Sequence, residues 1–295
     1  MNTEYTKGFV LTAFGVIVLS FDALLIRLIE AGSFDLLFWR GLLLSLIVTF
    51  WCRVRYPDIK LLNFDSSAIR SALLFVVSAL CFVTAINHTT VANVLVIISA
   101  QPLFAALMAR VFLGEKSKPV TWIAIFTAML GIGWVLGGSW QSSNFTGDLL
   151  ALVCGLALSA KFVNDRAASN RNMTPALIPA GLLIAVISVL VGQPWGLQSS
   201  DWGWMLLLCL CVLPLAFILI TLGPMRLPAA EVGMLMLLET AIGPLWVWLW
   251  LAEVPDRAAL EGGALVIGTL LIHGLIQWRT NRSKYNSARR TTKAV

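Results

Sequence analysis

The sequence has few charged residues: Asp, Glu, Lys and Arg together make up 12% of its 295 residues. A soluble domain is closer to a quarter charged and does not sustain a mean hydropathy of +0.86. The apolar residues come in blocks of roughly 20, and a helix of that length crosses about 30 Å of hydrocarbon. The composition therefore excludes a sizeable soluble domain and predicts a polytopic, all-α integral membrane protein.

Histidine and the common catalytic motifs are also scarce. His88 and His273 are far apart, and there is no HExxH sequence, paired-aspartate metal motif, Ser-His-Asp candidate or Walker A motif. The five cysteines lie in or beside apolar runs without metal-ligand or redox spacing, which favours a packing role. These absences argue against an integral membrane enzyme and against ATP-driven transport by this chain. They predict no cofactor and no bound metal.

The apolar blocks predict ten membrane spans. The first is interpreted as a retained helix, because Asp22 and Arg27 stand where a signal peptide has its small-residue cleavage site. Thr89 or Thr90 is predicted to cap the fourth span. The spans are placed at about 8–28, 34–54, 69–87, 90–113, 119–138, 146–165, 174–193, 203–222, 229–251 and 262–278.

The positions of the basic residues predict the orientation. With the N-terminus in the cytoplasm, nearly all Lys and Arg fall on the inner side, and the outer loops hold only Arg257. Both termini are then cytoplasmic, as an even number of spans requires. The net charge of +6 follows from these inner loops and does not indicate nucleic acid. The outer loops are expected to carry the acidic residues Glu30, Asp35, Asp148, Asp201, Glu253 and Asp256.

One apolar stretch with a polar interruption recurs. Residues 92–115, ANVLVIISAQPLFAALMARVFLGE, align with residues 230–253, AEVGMLMLLETAIGPLWVWLWLAE, and the alignment sets Gln101 on Glu239. The two stretches would cross the membrane in opposite directions, because five spans is an odd number. We therefore predict two inverted five-helix repeats around a central cavity, residues 1–140 and 141–278, followed by a basic cytoplasmic tail, 279–295.

Ionisable side chains inside a bilayer are costly and usually face a cavity or a partner. Glu239 is the strongest candidate, because it lies about ten residues into its span, near the midplane. It could bind a cationic group, carry a proton, or form a structural pair with Arg40 or Lys161. Gln101 could face the same cavity or make a hydrogen bond between helices beside Pro102.

Four further residues complete the substrate- or proton-binding candidates. Arg40 could bind a carboxylate or pair with Asp22 or Glu239, and Asp22 needs a partner. Lys161 could line the cavity or extend toward the inner surface. Asn93 is the remaining candidate, near the start of the fourth span.

The layout resembles the drug/metabolite transporter superfamily, specifically its EamA-type family. The resemblance is carried by DALLIRL and FWRGLL in the first two spans, and by the two copies of the repeated stretch. It implies ten helices around a central cavity, alternating access, and most often the export of small metabolites such as amino acids. One departure is that Thr240 stands in the second copy where the first copy has Pro102.

The sequence thus predicts a secondary-active exporter of a small polar or amphipathic, amino-acid-like metabolite, with protons as the candidate coupling ion. The alternative is an importer or exchanger of a riboflavin-like vitamin or a nucleotide-like metabolite, and an integral membrane enzyme is a remote third. The expected partners are a small-molecule substrate and the lipid bilayer, with no nucleic acid. The protein is expected in the bacterial inner membrane as a monomer or homodimer.

Overall fold

The computed structural model describes residues 3–57, 65–114, 119–139, 144–192, 196–227, 229–253, 255, 257–269, 271–272 and 276. Within these ranges all regular structure is helical, without a strand. Several sequence features lie outside the described residues: the charged turn Glu115-Lys116-Ser117-Lys118, Asp256, His273, the end of the tenth predicted span, and the basic tail.

The described helices follow each other with short connections. Two irregular turns accompany them, a 3₁₀ turn at Thr174–Ala176 and a π-helical segment at Leu207–Val212. In chain order the α-helices are α1 (Thr3–Leu19), α2 (Asp22–Leu28), α3 (Ser33–Arg55), α4 (Ser66–His88), α5 (Val91–Ile98), α6 (Gln101–Leu113), α7 (Pro119–Ser139), α8 (Phe145–Ala167), α9 (Leu177–Val191), α10 (Trp202–Leu206), α11 (Leu213–Thr221) and α12 (Ala229–Leu251).

Eight stretches of the described chain are long and apolar enough to cross a membrane. They correspond to the first four predicted spans and to the sixth through ninth. The fifth predicted span is α7, whose apolar stretch Trp122–Val135 is shorter, and the tenth begins in the helical residues 257–269. The chain is therefore an all-helical, multi-pass membrane protein, and the number of ten spans stays a prediction.

Two of the spans are broken in the middle. The first breaks at Ser20 and Phe21, between α1 and α2, and the fourth breaks at Ser99 and Ala100, between α5 and α6. At each break a serine hydroxyl donates a hydrogen bond to the carbonyl oxygen three residues earlier, at 2.7 Å for Ser20 and 2.6 Å for Ser99. These bonds satisfy carbonyls that a continuous helix would have bonded. Pro102, which follows the second break, is the interruption that the sequence predicts.

Thr90 caps the fourth span, since its side chain accepts a hydrogen bond from the backbone N–H of Asn93. This confirms one of the two predicted caps. At the other end of the span, Gly114 ends α6 with a left-handed backbone, φ = 67°. Such a conformation favours glycine and stops the helix before the charged turn.

Helices of the two predicted halves pack as antiparallel pairs. Helix α1 contacts α11, α3 contacts α9, α4 contacts α8, and both α5 and α6 contact α12. The α3–α9 approach is very close, because a Cβ atom on Gly41 would lie 2.4 Å from the carbonyl oxygen of Gly181. One turn further on, the Ser45 hydroxyl donates a hydrogen bond of 2.9 Å to the carbonyl of Ile178. Small residues allow such backbone contact inside a bilayer.

The pairing has a regular pattern. In the numbering of the ten predicted spans, the pairs join the first and eighth spans, the second and seventh, the third and sixth, and the fourth and ninth. If each span is exchanged with the span five places away, the same set of pairs results. A pseudo-two-fold axis between inverted halves would produce this pattern. The inverted repeat stays a prediction, and its boundaries at residues 140 and 278 lie outside the described residues.

Candidate functional site

A small cavity lies between the antiparallel pairs, and each of the eight spans contributes to its lining. Its volume is about 50 Å³, where one water molecule needs roughly 10–15 Å³. The polar and ionisable residues of the lining are Asp22, Arg40, Ser78, Gln101, Cys154 and Glu239. Four of the six predicted candidates, from both halves of the chain, therefore meet at one place.

Arg40 and Asp22 form a buried ion pair with two hydrogen bonds. Arg40 Nη2 donates to Asp22 Oδ2 at 3.0 Å, and Nη1 donates to Oδ1. The residues are 6% and 1% exposed. Asp22 is the first residue of α2, so the break in the first span sets its position against α3. Of the partners that the sequence allowed for Arg40, the structure selects Asp22, which satisfies both carboxylate oxygens.

Glu239 lies in α12 with 5% of its surface exposed. Its carboxylate makes no hydrogen bond or ion pair with any described residue, and neither Arg40 nor Lys161 is its partner. An isolated carboxylate in an apolar environment is strongly disfavoured unless it binds a cation or a proton. Among the described lining residues, Glu239 thus carries the charge that lacks a counter-ion.

Gln101 is the first residue of α6 and is fully buried. Neither its Oε1 nor its Nε2 has a hydrogen-bond partner. Gly233 brings α12 against this point, because a Cβ atom there would lie 3.0 Å from the Cα atom of Pro102. A buried amide that is left unsatisfied costs about 1–3 kcal/mol. Its orphaned atoms mark the cavity as a place where a ligand can make polar contacts.

The rest of the lining is apolar and partly aromatic. Phe75 of α4 and Phe217 of α11 meet edge to face, with ring centroids 4.8 Å apart and planes at 89°. Phe82 of α4 also lines the cavity, one helix turn from Ser78. A ligand with a polar group and an apolar body can therefore satisfy both kinds of wall.

Two predicted candidates, Lys161 and Asn93, do not line the cavity. Lys161 Nζ lies 2.6 Å from Asp165 Oδ2, and both side chains are almost fully buried. Asn93 Nδ2 donates hydrogen bonds to both Asp148 carboxylate oxygens, at 3.3 and 3.2 Å. Lys161 therefore makes a contact within α8, and Asn93 connects the start of α5 to α8.

These partners were missed in the sequence for different reasons. Asp165 follows Lys161 by four residues, which is a helical pairing distance that the sequence does display. Asp148 was expected in an outer loop, and this expectation is wrong, because Asp148 is a fully buried residue of α8. It tolerates burial because Thr89 also donates a hydrogen bond to it, at 2.7 Å.

A polar network lies at one end of the bundle. Arg27 donates a hydrogen bond of 2.7 Å to the carbonyl of Thr89 and lies 3.4 Å from Glu253. Glu253 accepts a hydrogen bond of 2.9 Å from the backbone N–H of Val91. The network joins the end of α2, the start of α5 and the residues after α12. The predicted orientation places this end outside the cell.

Glu253→Gln is expected to loosen this end. Arg27 and Glu253 are about a quarter exposed, so their pairing is worth at most about 1 kcal/mol, or roughly a fivefold shift in opening. The measurement is the rate at which Cys154, a cavity residue, reacts with a small thiol reagent in purified protein. A Cys154→Ser variant gives the background from the other cysteines. An unchanged rate would show that this network does not control access to the cavity.

Different polar contacts lie at the far end of the bundle. Asn164 of α8 donates a hydrogen bond of 2.9 Å to the carbonyl of Ser67 at the start of α4. Nearby, Arg171 pairs with Asp65 at 2.8 Å. Both contacts join the two predicted halves, so the cavity has a set of polar contacts on either side.

The described residues contain no group of three His, Cys, Asp or Glu that could hold a metal ion.

Comparison with known proteins identifies a matching family model, similar sequences and a similar fold. Residues 6–137 match the sequence model of the EamA-like transporter family. The chain is 24% identical over 191 residues to the pseudopaline exporter CntI of two Pseudomonas aeruginosa strains, which covers 63% of this chain and 67% of the exporter. A solved crystal structure shares the fold, with a TM-score of 0.70, 18% identity, and coverage of 92% of this chain and 98% of the other.

Proposed function

Because residues 6–137 match the sequence model of the EamA-like transporter family, we propose that this multi-pass membrane protein is a secondary-active exporter of a small, amphipathic, amino-acid-like metabolite. The observation that carries the proposal is the cavity between the two predicted halves, with the uncompensated carboxylate of Glu239 in its wall. Export as the direction is supported by the similar Pseudomonas protein, which is an exporter. The proposed location is the inner membrane of a bacterium.

The proposed mechanism is alternating access. A cavity of about 50 Å³ has space for only a few water molecules, so the helices must separate for a metabolite to enter. Breaking the Arg27–Glu253 network would open one side, and breaking the Asn164–Ser67 contact would open the other. The broken first and fourth spans offer places where helix segments can move with little loss of hydrogen bonding.

Glu239 is assigned the central role in this cycle. It either binds the cationic group of the substrate or takes up a proton during the cycle, and in both cases its charge is compensated only while the site is occupied. The sequence also suggested Arg40 as a contact for a substrate carboxylate. Its two hydrogen bonds to Asp22 make it a structural member of the wall in this arrangement.

The test is metabolite profiling of medium and cytosol from cells that overexpress the protein. We expect at least one amino-acid-like compound to accumulate in the medium with the wild type, and its export to fall roughly tenfold or more with Glu239→Gln. Glu231→Gln is the matched control. This carboxylate lies on the same helix, but it accepts a hydrogen bond from the Tyr5 hydroxyl and does not line the cavity.

Three results would count against parts of the proposal. Depletion of a vitamin or nucleotide-like compound from the medium would favour the alternative of an importer or exchanger. No change in either compartment would contradict transport of a small metabolite. Equal loss with Glu231→Gln and Glu239→Gln, at matched protein levels in the membrane, would contradict the specific role of Glu239.

A further inference from the structure

The charges of the cavity wall indicate which part of a substrate the site recognises. Three ionisable side chains, Asp22, Arg40 and Glu239, carry one positive and two negative charges when ionised. The guanidinium of Arg40 already holds both oxygens of Asp22. A substrate carboxylate would have to share the single positive charge of Arg40 with Asp22 and lie beside two carboxylates. An ammonium group, by contrast, would neutralise the remaining charge of Glu239.

Gln101 gives independent evidence for the same group. Its Oε1 and Nε2 are fully buried without partners, in the same wall as Glu239. A primary ammonium has three N–H donors and no acceptor. It has enough donors for both the Glu239 carboxylate and Gln101 Oε1, and the two contacts would satisfy the orphaned acceptor and the uncompensated charge.

The apolar part of the wall is suited to the rest of such a molecule. The rings of Phe75, Phe82 and Phe217 line the cavity. Aromatic faces attract cations, and their edges pack well against another ring. The wall therefore accepts an apolar or aromatic body next to the ammonium, whereas a second, negative group on the ligand finds no unoccupied cation among the described lining residues.

We propose that the cavity binds its substrate through a primary ammonium held by Glu239 and Gln101, and that it selects amphipathic monocationic amines over zwitterions. This inference rests on the proposed export function and narrows it. Among amino-acid-like compounds, it selects those whose carboxyl group is absent, amidated or esterified.

The experiment measures binding of three probes that share one apolar body to purified full-length protein: 2-phenylethylamine, L-phenylalanine and 3-phenylpropanoate. We expect the amine to bind roughly tenfold or more tightly than the zwitterion, and the anion not to bind. Glu239→Gln should lose most of the amine affinity, and Glu231→Gln should keep it. Equal affinity for amine and zwitterion, or amine binding that survives Glu239→Gln, would overturn the proposal.

Gln101→Met separates a binding role from a structural one. Methionine keeps the side-chain length but removes the acceptor, so the amine affinity should fall by about threefold to tenfold. The midpoint of thermal unfolding should stay the same or rise, because the variant removes a buried amide without partners. Unchanged affinity together with a lower midpoint would assign Gln101 to the scaffold and overturn its part in the site.

The same probes in membrane vesicles distinguish this inference from the proposed function. Transport of L-phenylalanine in preference to the amine would overturn amine selection and leave export standing. Binding of the amine that depends on Glu239, without transport of any probe or cell metabolite, would overturn export and leave the binding site standing.

Discussion

Arg40→Met is expected to destabilise the protein by about 3–5 kcal/mol, the usual cost of removing one partner from a buried ion pair. It leaves two carboxylates, Asp22 and Glu239, in one cavity without a cation. Asp22→Asn is expected to cost less, about 1–3 kcal/mol, because Arg40 then still has the charge of Glu239 in the same cavity. The measurement is denaturant or thermal unfolding of purified variants in one detergent at pH 7.

The control for this comparison is Asp65→Asn, which removes an exposed ion pair with Arg171. A hydrogen bond from the Ser67 side chain, with Arg171 nearby, lowers the pKa of Asp65. A lowered folded-state pKa gives stability that is present above the unfolded pKa and is lost as the pH falls through the folded pKa. At pH 7 the contribution is complete, and we expect its removal to have only a small effect. If Asp22→Asn lowers the free energy of unfolding as much as Arg40→Met does, the charge of Glu239 does not compensate Arg40 when Asp22 is lost.

Gly41→Ala and Gly181→Ala are each expected to destabilise the α3–α9 contact. The added Cβ would lie 2.4 Å from the Gly181 carbonyl oxygen in the first variant and 2.5 Å from that of Gly41 in the second. Backbone atoms cannot rotate away as a flexible side chain can, so the helices must separate, at a cost of about 1–3 kcal/mol. Gly41 also lines the cavity beside Arg40, so the same change should weaken ligand binding.

Gly133→Ala is the matched control, because a Cβ atom on this glycine of α7 would meet nothing within 4 Å. Unfolding of the three single variants and of the Gly41–Gly181 double variant checks the prediction. The double variant should lower the free energy of unfolding by less than the sum of the two single variants, since both changes act on one contact. Wild-type stability in Gly41→Ala would contradict the close approach of the two backbones.

The sequence predicts the membrane class of this protein well, because this class depends on local patterns. Apolar blocks locate the helices, and the sequence identifies Gln101 and Pro102 as an interruption, which the structure shows as the break between α5 and α6. Gln101 and Glu239 were linked through alignment of the two stretches, and the structure places both in one cavity wall.

The choice of partners could not be predicted in the same way. Arg40 had two acidic partners to choose from, and the rotation of α3 about its axis, which decides between them, depends on contacts such as Gly41 against Gly181. The break at Ser20 and Phe21 also redirects Asp22, and no proline or glycine marks this break in the sequence. Tertiary packing therefore determines which charge of the cavity wall stays uncompensated.

The small volume of the cavity has a consequence for inhibition. Under the proposed mechanism, an amine whose body is too bulky for the helices to close around it would still enter the open form and bind Glu239. It would then hold the protein open to one side and compete with the substrate without being carried across. In such a site the charge of a compound decides whether it binds, and its size decides whether it is a substrate or a blocker.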